Sequence, residues 1–309
     1  MSRGFGCRGR AEKIGILVAQ LGTPDAPTKE ALKPYLKQFL SDPRVIEKPR
    51  WWWLPLLNFV ILQTRPKRSA ALYKRIWTDK GSPLLIHTQA VTKELASKFG
   101  PDIQVEYGMR YGSNSIEDAI DKLCSDGVSH ILVLPMYPHY SATTTAAIYD
   151  AVFPSLLNRR VVPSVRVVAP YFRDERYVQA LADTMNEHLA SLESKPDKLV
   201  FSYHGIPAEY VKKGDDYCCQ CVETTYALVP KLNMPPEDII HTFQSRFGRD
   251  PWLQPYTDET VERLAKEGVK SIAVAAPGFT ADCLETLDEL GNEAREEFEE
   301  LGGKKFSLI

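Results

Sequence analysis

Residues 15–24 read GILVAQLGTP and residues 198–207 read KLVFSYHGIP, each a β-favouring apolar run followed by x-Gly-x-Pro. The parallel continues down the chain. Residues 109–112 (MRYG) correspond to residues 245–248 (SRFG), and each follows a further apolar run. SIEDAIDKLCSDGVSHILVLP then corresponds to TDETVERLAKEGVKSIAVAAP, each a capped amphipathic helix pattern, a Gly-Val turn and a strand pattern. Units that recur in the same order imply two like structural halves, whatever the composition.

The apolar runs KIGILVAQ, IQVEYGM, HILVLPMY, VRVVAP, KLVFSYH, IIHTFQ and SIAVAAP alternate little between apolar and polar residues. Strands of that kind are buried on both faces, as in parallel sheets covered by helices. The expected fold is α/β, with two similar Rossmann-like, doubly wound lobes built on parallel sheets. The expected divisions are a flexible N-terminal arm at 1–12, an N-terminal lobe at 13–165 and a C-terminal lobe at 166–309, joined around residues 163–173. Open sheets of this type bind ligands beyond the strand C-termini, so the lobes should share a cleft there. Leu21 and His204 hold corresponding positions before the repeated glycine. One half therefore presents a hydrocarbon where the other presents an imidazole.

Bulk properties narrow the function. The 309 residues suit two ordinary domains. A net charge of −2 offers no general affinity for nucleic acid. There is no GxGxxG after the first strand and no P-loop, so no nucleotide is expected. The N-terminus is basic and polar and lacks the apolar segment of a secretory signal, which predicts a cytoplasmic protein. Residues 51–62, WWWLPLLNFVIL, are too few to span a bilayer, which takes about 20 apolar residues. Three adjacent tryptophans cannot all face one core, so part of this segment should be exposed as a ligand lip or a membrane-touching patch. Six cysteines without regular spacing do not form a disulfide framework. Cys218, Cys219 and Cys221 cluster, but a metal centre would need a fourth ligand from Cys7, Cys124 or Cys283. Packed thiols are the simpler reading, and no [2Fe–2S] cluster is expected.

His204, at the mouth of a strand, can act as a general base, bind a metal through one ring nitrogen, or simply bond a loop carbonyl. His139 follows a strand and is a second candidate for the cleft. His241 lies within a strand and reads as structural, while His87 and His188 lie on amphipathic helices. Near the end of the chain, Thr280 is a candidate N-cap and Asp282 suits a positive helix start. Leu284, Leu287, Gly291, Ala294, Phe298 and Leu301 then form an apolar stripe. Glu285, Glu289 and Glu293 recur every four residues on the other side. That row is either a solvated face or a carboxylate ladder that passes a cation, and Glu285 lies on the side of the sheet where His204 should also be.

These residues resemble those of the ferrochelatase family, whose members insert Fe²⁺ into protoporphyrin IX. The resemblance runs from about Lys13 to the end through LGTPDAP, FLSDPRVI, GSPL, LPMYPHYSATTTAA, SYHGIP, TFQSRFGRDPWLQPYTDET and APGFTADCLETLDEL. The ADCLETL form is similar to that of the Gram-negative branch, with Cys283 where many relatives have histidine. The resemblance implies a chelatase-like fold with a porphyrin cleft between the lobes, and a lyase that makes protohaem in the terminal step of haem biosynthesis. It implies that His204 and Glu285 are catalytic, and that His204, Glu285, Glu289 and Glu293 handle the metal. It places Leu21, Arg110, Tyr111 and Trp252 in the porphyrin pocket. Residues 51–62 become the lip that admits porphyrin, with peripheral membrane contact. No cofactor beyond the Fe²⁺ substrate is implied. Alternatives are a chelatase for another metal or for coproporphyrin, and a non-catalytic tetrapyrrole or metal carrier. Relatives continue past the position of Ile309, so the sequence is expected to be incomplete at its C-terminus.

Overall fold

A computed structural model describes residues 12–309. The expectation of a flexible arm at 1–12, and Cys7 with it, falls almost wholly outside these residues. The described chain forms two four-stranded sheets, all of whose pairings are parallel. The first holds β1 (Ile14–Thr23), β2 (Ile103–Gly112), β3 (His130–Pro135) and β4 (Ser164–Val167) in the order β2-β1-β3-β4. The second holds β5 (Lys198–His204), β6 (Ile239–Gln244), β7 (Ser271–Ala275) and β8 (Lys305–Leu308) in the order β6-β5-β7-β8. The orders are identical, so the duplication in the sequence is a duplication of fold.

Seven of the eight strands match the apolar runs. The eighth, β8, lies outside them. The expected lobe boundary at 165/166 falls inside β4. The last residue of the first sheet is Val167, which pairs with Val133.

Each sheet is covered on both faces, and the strands show it residue by residue. In β5, Leu199, Phe201 and Tyr203 join a core with Val178 and Leu228, while Val200 points the other way to Val261, Val274 and Phe298. Successive side chains on a strand alternate faces, and here both are apolar because both are buried. In β1, Leu17 and Ala19 pack with Ile120, Val133 and Ile148.

The first lobe carries an addition that has no counterpart in the second. Helix Arg50–Leu56, a π-helical turn Leu57–Ile61 and helix Leu62–Ile76 stand between helices Lys29–Ser41 and Pro83–Lys98. This segment resolves the three tryptophans. Trp53 is buried and donates from Nε1 to the Leu40 carbonyl at 2.8 Å. Trp52 is half-buried and meets Trp53 edge to face, whereas Trp51 is 81% exposed. Phe59 and Val60 are exposed as well. No helix among the described residues is long and apolar enough to cross a membrane.

The lobes are tied together by the loop after β3. Ser141 Oγ and the Ala142 N–H both donate to the buried carboxylate of Asp215 at 2.8 Å, and the Tyr140 N–H donates to Gln220 Oε1. On the other side of the cleft, Lys48–Asp250 and Lys213–Glu47 ion pairs bridge the lobes near the surface.

Candidate active site

Between the lobes lies a cavity of about 560 Å³, within the range of small-molecule sites. The first lobe lines it with Leu21, Tyr35, Phe39, Trp53 and Tyr73, and the second with His204, Phe247, Trp252, Leu284, Glu285 and Glu289. Most of the wall is apolar, with polar groups from both lobes, among them Gln20, His139 and Ser141 on the first and His204, Glu285 and Glu289 on the second.

His204 is the last residue of β5. Its Nδ1 lies 2.6 Å from the carbonyl oxygen of Gly205. A carbonyl can only accept, so Nδ1 carries a proton, and in the neutral imidazole the lone pair is on Nε2. The loop-carbonyl bond and a chemical role are therefore compatible: the first fixes the tautomer that the second needs. The Trp252 ring lies 6.5 Å away, centroid to centroid. A Cβ at Gly205 would meet the Gln244 carbonyl at 3.0 Å and the Trp252 ring at 3.3 Å, so glycine lets the turn close beneath the imidazole.

Glu285 opens a π-helix, Glu285–Ala294, of ten residues. Such helices are usually single turns and concentrate at functional sites. Thr280 does not cap it. Its hydroxyl instead donates across the lobes to the Met136 carbonyl at 2.7 Å, because residues 276–283 form an irregular turn before the helix begins. Asp282 and Thr286 organise that turn: the Thr286 hydroxyl donates to Asp282 Oδ1, and the Cys283 N–H donates to the Thr286 oxygen.

Three phenols, Tyr35, Tyr73 and Tyr137, and the Cys283 thiol share the cavity wall with Glu285. Burial first, then the Glu285 charge among the lesser causes, pushes all four upward in pKa and keeps them protonated. The Tyr137 hydroxyl is buried without a hydrogen-bond partner.

The carboxylate row runs outward from the cavity. Glu285 and Glu289 are half-buried and Glu293 is exposed, and all three line the cavity. Glu289 accepts from the Ser245 N–H at 2.7 Å and from Ser245 Oγ at 2.5 Å. Burial raises its pKa, while Ser245 and the nearby His204 oppose that shift. Glu293 is also raised by burial, with Arg75 and Arg68 acting against it. The row is thus neither a plain solvated face nor a closed coordination sphere. Among the described residues, no three His, Cys, Asp or Glu side chains converge to hold a metal ion. The expected metal set of His204, Glu285, Glu289 and Glu293 is a succession of single groups.

Sequence reasoning missed Asp288. It is 2% exposed, lines the cavity, and pairs with Arg75 of the first lobe at 2.8 Å. Its one signal was an acidic residue set among the apolar positions Leu284, Leu287 and Gly291.

The other expected residues divide. Leu21 and Trp252 line the cavity. Arg110 and Tyr111 do not; they stand one layer behind it. The Tyr111 hydroxyl donates to Asp42 Oδ2 at 2.8 Å, and the Arg110 guanidinium pairs with the same carboxylate. Phe39, edge-on to Tyr111 at 5.2 Å, takes the place in the wall instead. The physical reason is Asp42, which follows helix Lys29–Ser41 and draws both polar groups away from the apolar space.

His139 lines the cavity and is buried. Its Nε2 lies 2.8 Å from Thr224 Oγ1, which also stands within hydrogen-bond distance of the Phe172 and Gln220 carbonyls. Burial lowers its pKa to about 3, and that of His241 to about 4. Cys218, Cys219 and Cys221 lie on helix Tyr217–Leu228 and are respectively half-buried, exposed and buried, and the five described cysteines are free thiols. At the rim, Arg65 lies over the Phe247 ring at 4.6 Å, with a buried guanidinium nitrogen left unpaired.

Comparison with known proteins identifies the family. The Ferrochelatase family matches residues 13–309. The chain is 49% identical to a ferrochelatase of Idiomarina loihiensis, over 100% of this chain and 85% of that one. It is 47% identical to a ferrochelatase of Pseudoalteromonas atlantica, over 97% of this chain and 84% of that one. Among solved structures it is similar in fold to SirB from Bacillus subtilis with Fe³⁺, at a TM-score of 0.53 and 15% identity, covering 96% of this chain and 87% of that one. With the whole described body of the chain matched, and with relatives at nearly half identity along their length, this protein belongs to the ferrochelatase family.

Proposed function

We propose that the protein inserts Fe²⁺ into protoporphyrin IX, releasing two protons and forming protohaem, the terminal step of haem biosynthesis. The observation that carries this reading is an apolar slot in which the His204 imidazole and a carboxylate row stand on the second lobe, and Leu21 holds the position on the first lobe that corresponds to His204. A tetrapyrrole is flat and apolar over most of its area, which suits walls of Phe39, Trp53 and Leu284. Its propionates are anionic, and the under-paired Arg65 at the rim suits one of them. The macrocycle brings four nitrogen ligands of its own, so the protein needs to guide the metal rather than enclose it.

The chemistry then follows from placement. Two pyrrole N–H protons must leave as Fe²⁺ enters. His204 Nε2 either accepts a proton or seats the metal at the ring face. Glu285, shielded by phenols and the Cys283 thiol, takes part in proton removal, and Glu289 and Glu293 continue the row toward solvent. A ring bent toward His204 would present its nitrogens to a metal arriving on that side, with binding energy supporting the distortion. Leucine at position 21 supplies no ligand on the opposite face. The exposed Trp51, Phe59 and Val60 form a lip suited to peripheral contact with the cytoplasmic side of a membrane. No resident cofactor enters the scheme.

An anaerobic assay with Fe²⁺ and protoporphyrin IX, read as loss of porphyrin fluorescence, tests the proposal. Many turnovers per protein are expected. Quenching that stops at one equivalent would make the protein a carrier. Faster turnover with coproporphyrin, or with another divalent metal, would change the substrate.

A further inference from the structure

The paired strands of the two repeats part company at Ser245, just past the His204↔Gln244 pair. In the first lobe β1 and β2 stay paired to their ends, through Gly22↔Tyr111 and Thr23↔Gly112. In the second lobe the pairing stops at His204↔Gln244, and Ser245 turns into the left-handed region with φ +66. By strand register its counterpart is Tyr111, which stays within β2 opposite Gly22. A non-glycine residue held at positive φ needs surroundings that over-determine it, and such outliers gather at functional sites.

What that conformation achieves is specific. It aims the Ser245 N–H at Glu289 Oε1 and its hydroxyl at Oε2, so both carboxylate oxygens are held. Gln244 anchors the same helix: its Nε2 donates to the Glu285 carbonyl at 2.8 Å and lies 3.4 Å from Glu289 Oε2. A flip of this amide would set its Oε1 against the Glu285 carbonyl oxygen, so Oε1 instead accepts from the Ser202 hydroxyl at 2.7 Å. Glu289 and Ser245 also stand in the wall shared by the main cavity and a second one of about 350 Å³, which opens toward Asp258 and Glu297.

We propose that Ser245, backed by Gln244, is a positioning residue for metal insertion: it fixes the Glu289 carboxylate in the partition between the two cavities, where Fe²⁺ passes on its way to the porphyrin. This rests on the chelatase reading above. It assigns Ser245 no contact with the macrocycle.

Substitution at Ser245 tests it. Ser245→Val resists positive φ and loses the hydroxyl, breaking both contacts. With charge-assisted bonds lost, the KM for Fe²⁺ should rise about tenfold. The KM for porphyrin should stay within about twofold of the starting protein. Ser245→Gly tolerates the turn and keeps the N–H bond, so it should recover most of the loss. In a Glu289→Ala background, Ser245→Val should add nothing, since a positioning effect vanishes with the group positioned. Circular dichroism of each variant checks folding. An Fe²⁺ KM that does not rise, an equal loss in the Glu289→Ala background, or a parallel rise in porphyrin KM overturns the proposal. Absence of turnover in the unsubstituted protein would instead overturn the chelatase reading, so the two failures are distinguishable.

Discussion

The ends of β1 and β5 occupy the same place in two copies of one fold, yet they do different work. At β1 the chain offers Leu21, then Gly22 at φ +116, whose added Cβ would sit 1.8 Å from the Tyr111 carbonyl oxygen. At β5 it offers His204 and then Gly205, which has no positive φ and is held to glycine by the Gln244 carbonyl and the Trp252 ring. The same letter recurs for two physical reasons. Arg110 and Tyr111 of the first lobe are drawn to Asp42, whereas His204 and Glu285 of the second are left facing the cavity. Duplication supplied the frame, and the asymmetry arose from which polar groups found partners within their own lobe.

Substitution at the paired positions is the strongest way to break this comparison. His204→Ala and Glu285→Gln should each lower turnover by about 10²–10⁴, the usual span for losing an acid–base group, with porphyrin still bound. Leu21→Ala should change turnover less than about threefold, since Ala keeps that face free of any ligand. Comparable losses on both sides would end the one-sided reading.

A second contrast lies within the added segment of the first lobe. Trp53→Ala should cost about 3–5 kcal/mol in chemical denaturation, as for other buried large aromatics. Trp51→Ala, two residues away and mostly exposed, should stay within about 0.5 kcal/mol. It should instead weaken cosedimentation with lipid vesicles if the lip meets a membrane.

The bridge between the lobes gives a third effect. Arg75→Ala would leave the buried Asp288 carboxylate with the Asn292 amide but no cation, which should cost about 3 kcal/mol, the lower end for a broken buried pair because Arg75 reaches solvent.

The smallest expected effect depends on pH. His139 has a folded pKa near 3, below its unfolded value, so the unfolded chain binds the extra proton. Stability from this group is therefore complete above about pH 7.5 and declines as pH falls through the unfolded value of about 6.5 toward the folded one. At pH 5 the loss should be about 2 kcal/mol. His139→Gln should flatten that part of the stability profile. An unchanged profile would mean that the cavity already hydrates the ring.

Much of this was legible because it is written locally. The strand runs, the two Gly-Val turns and the Leu21–His204 correspondence are patterns within short windows. Glu285 and its row were legible as spacing but not as function, since a four-residue repeat also describes a solvated helix. The π-helix was not legible, nor was the displaced start after residue 283, because both depend on Asp282 and Thr286 closing an irregular turn.

The sequence by itself determined that this chain folds as two parallel α/β lobes and that they differ at the residue before the repeated glycine. Hydrophobic period and turn chemistry are properties of neighbouring residues and survive without tertiary structure. Only the tertiary structure decided which polar groups remain available. Asp42 claims Arg110 from 68 residues away, and Ser245 claims Glu289 from 44. Whether a buried polar group is free or satisfied depends on such distant partners, and no local pattern encodes them.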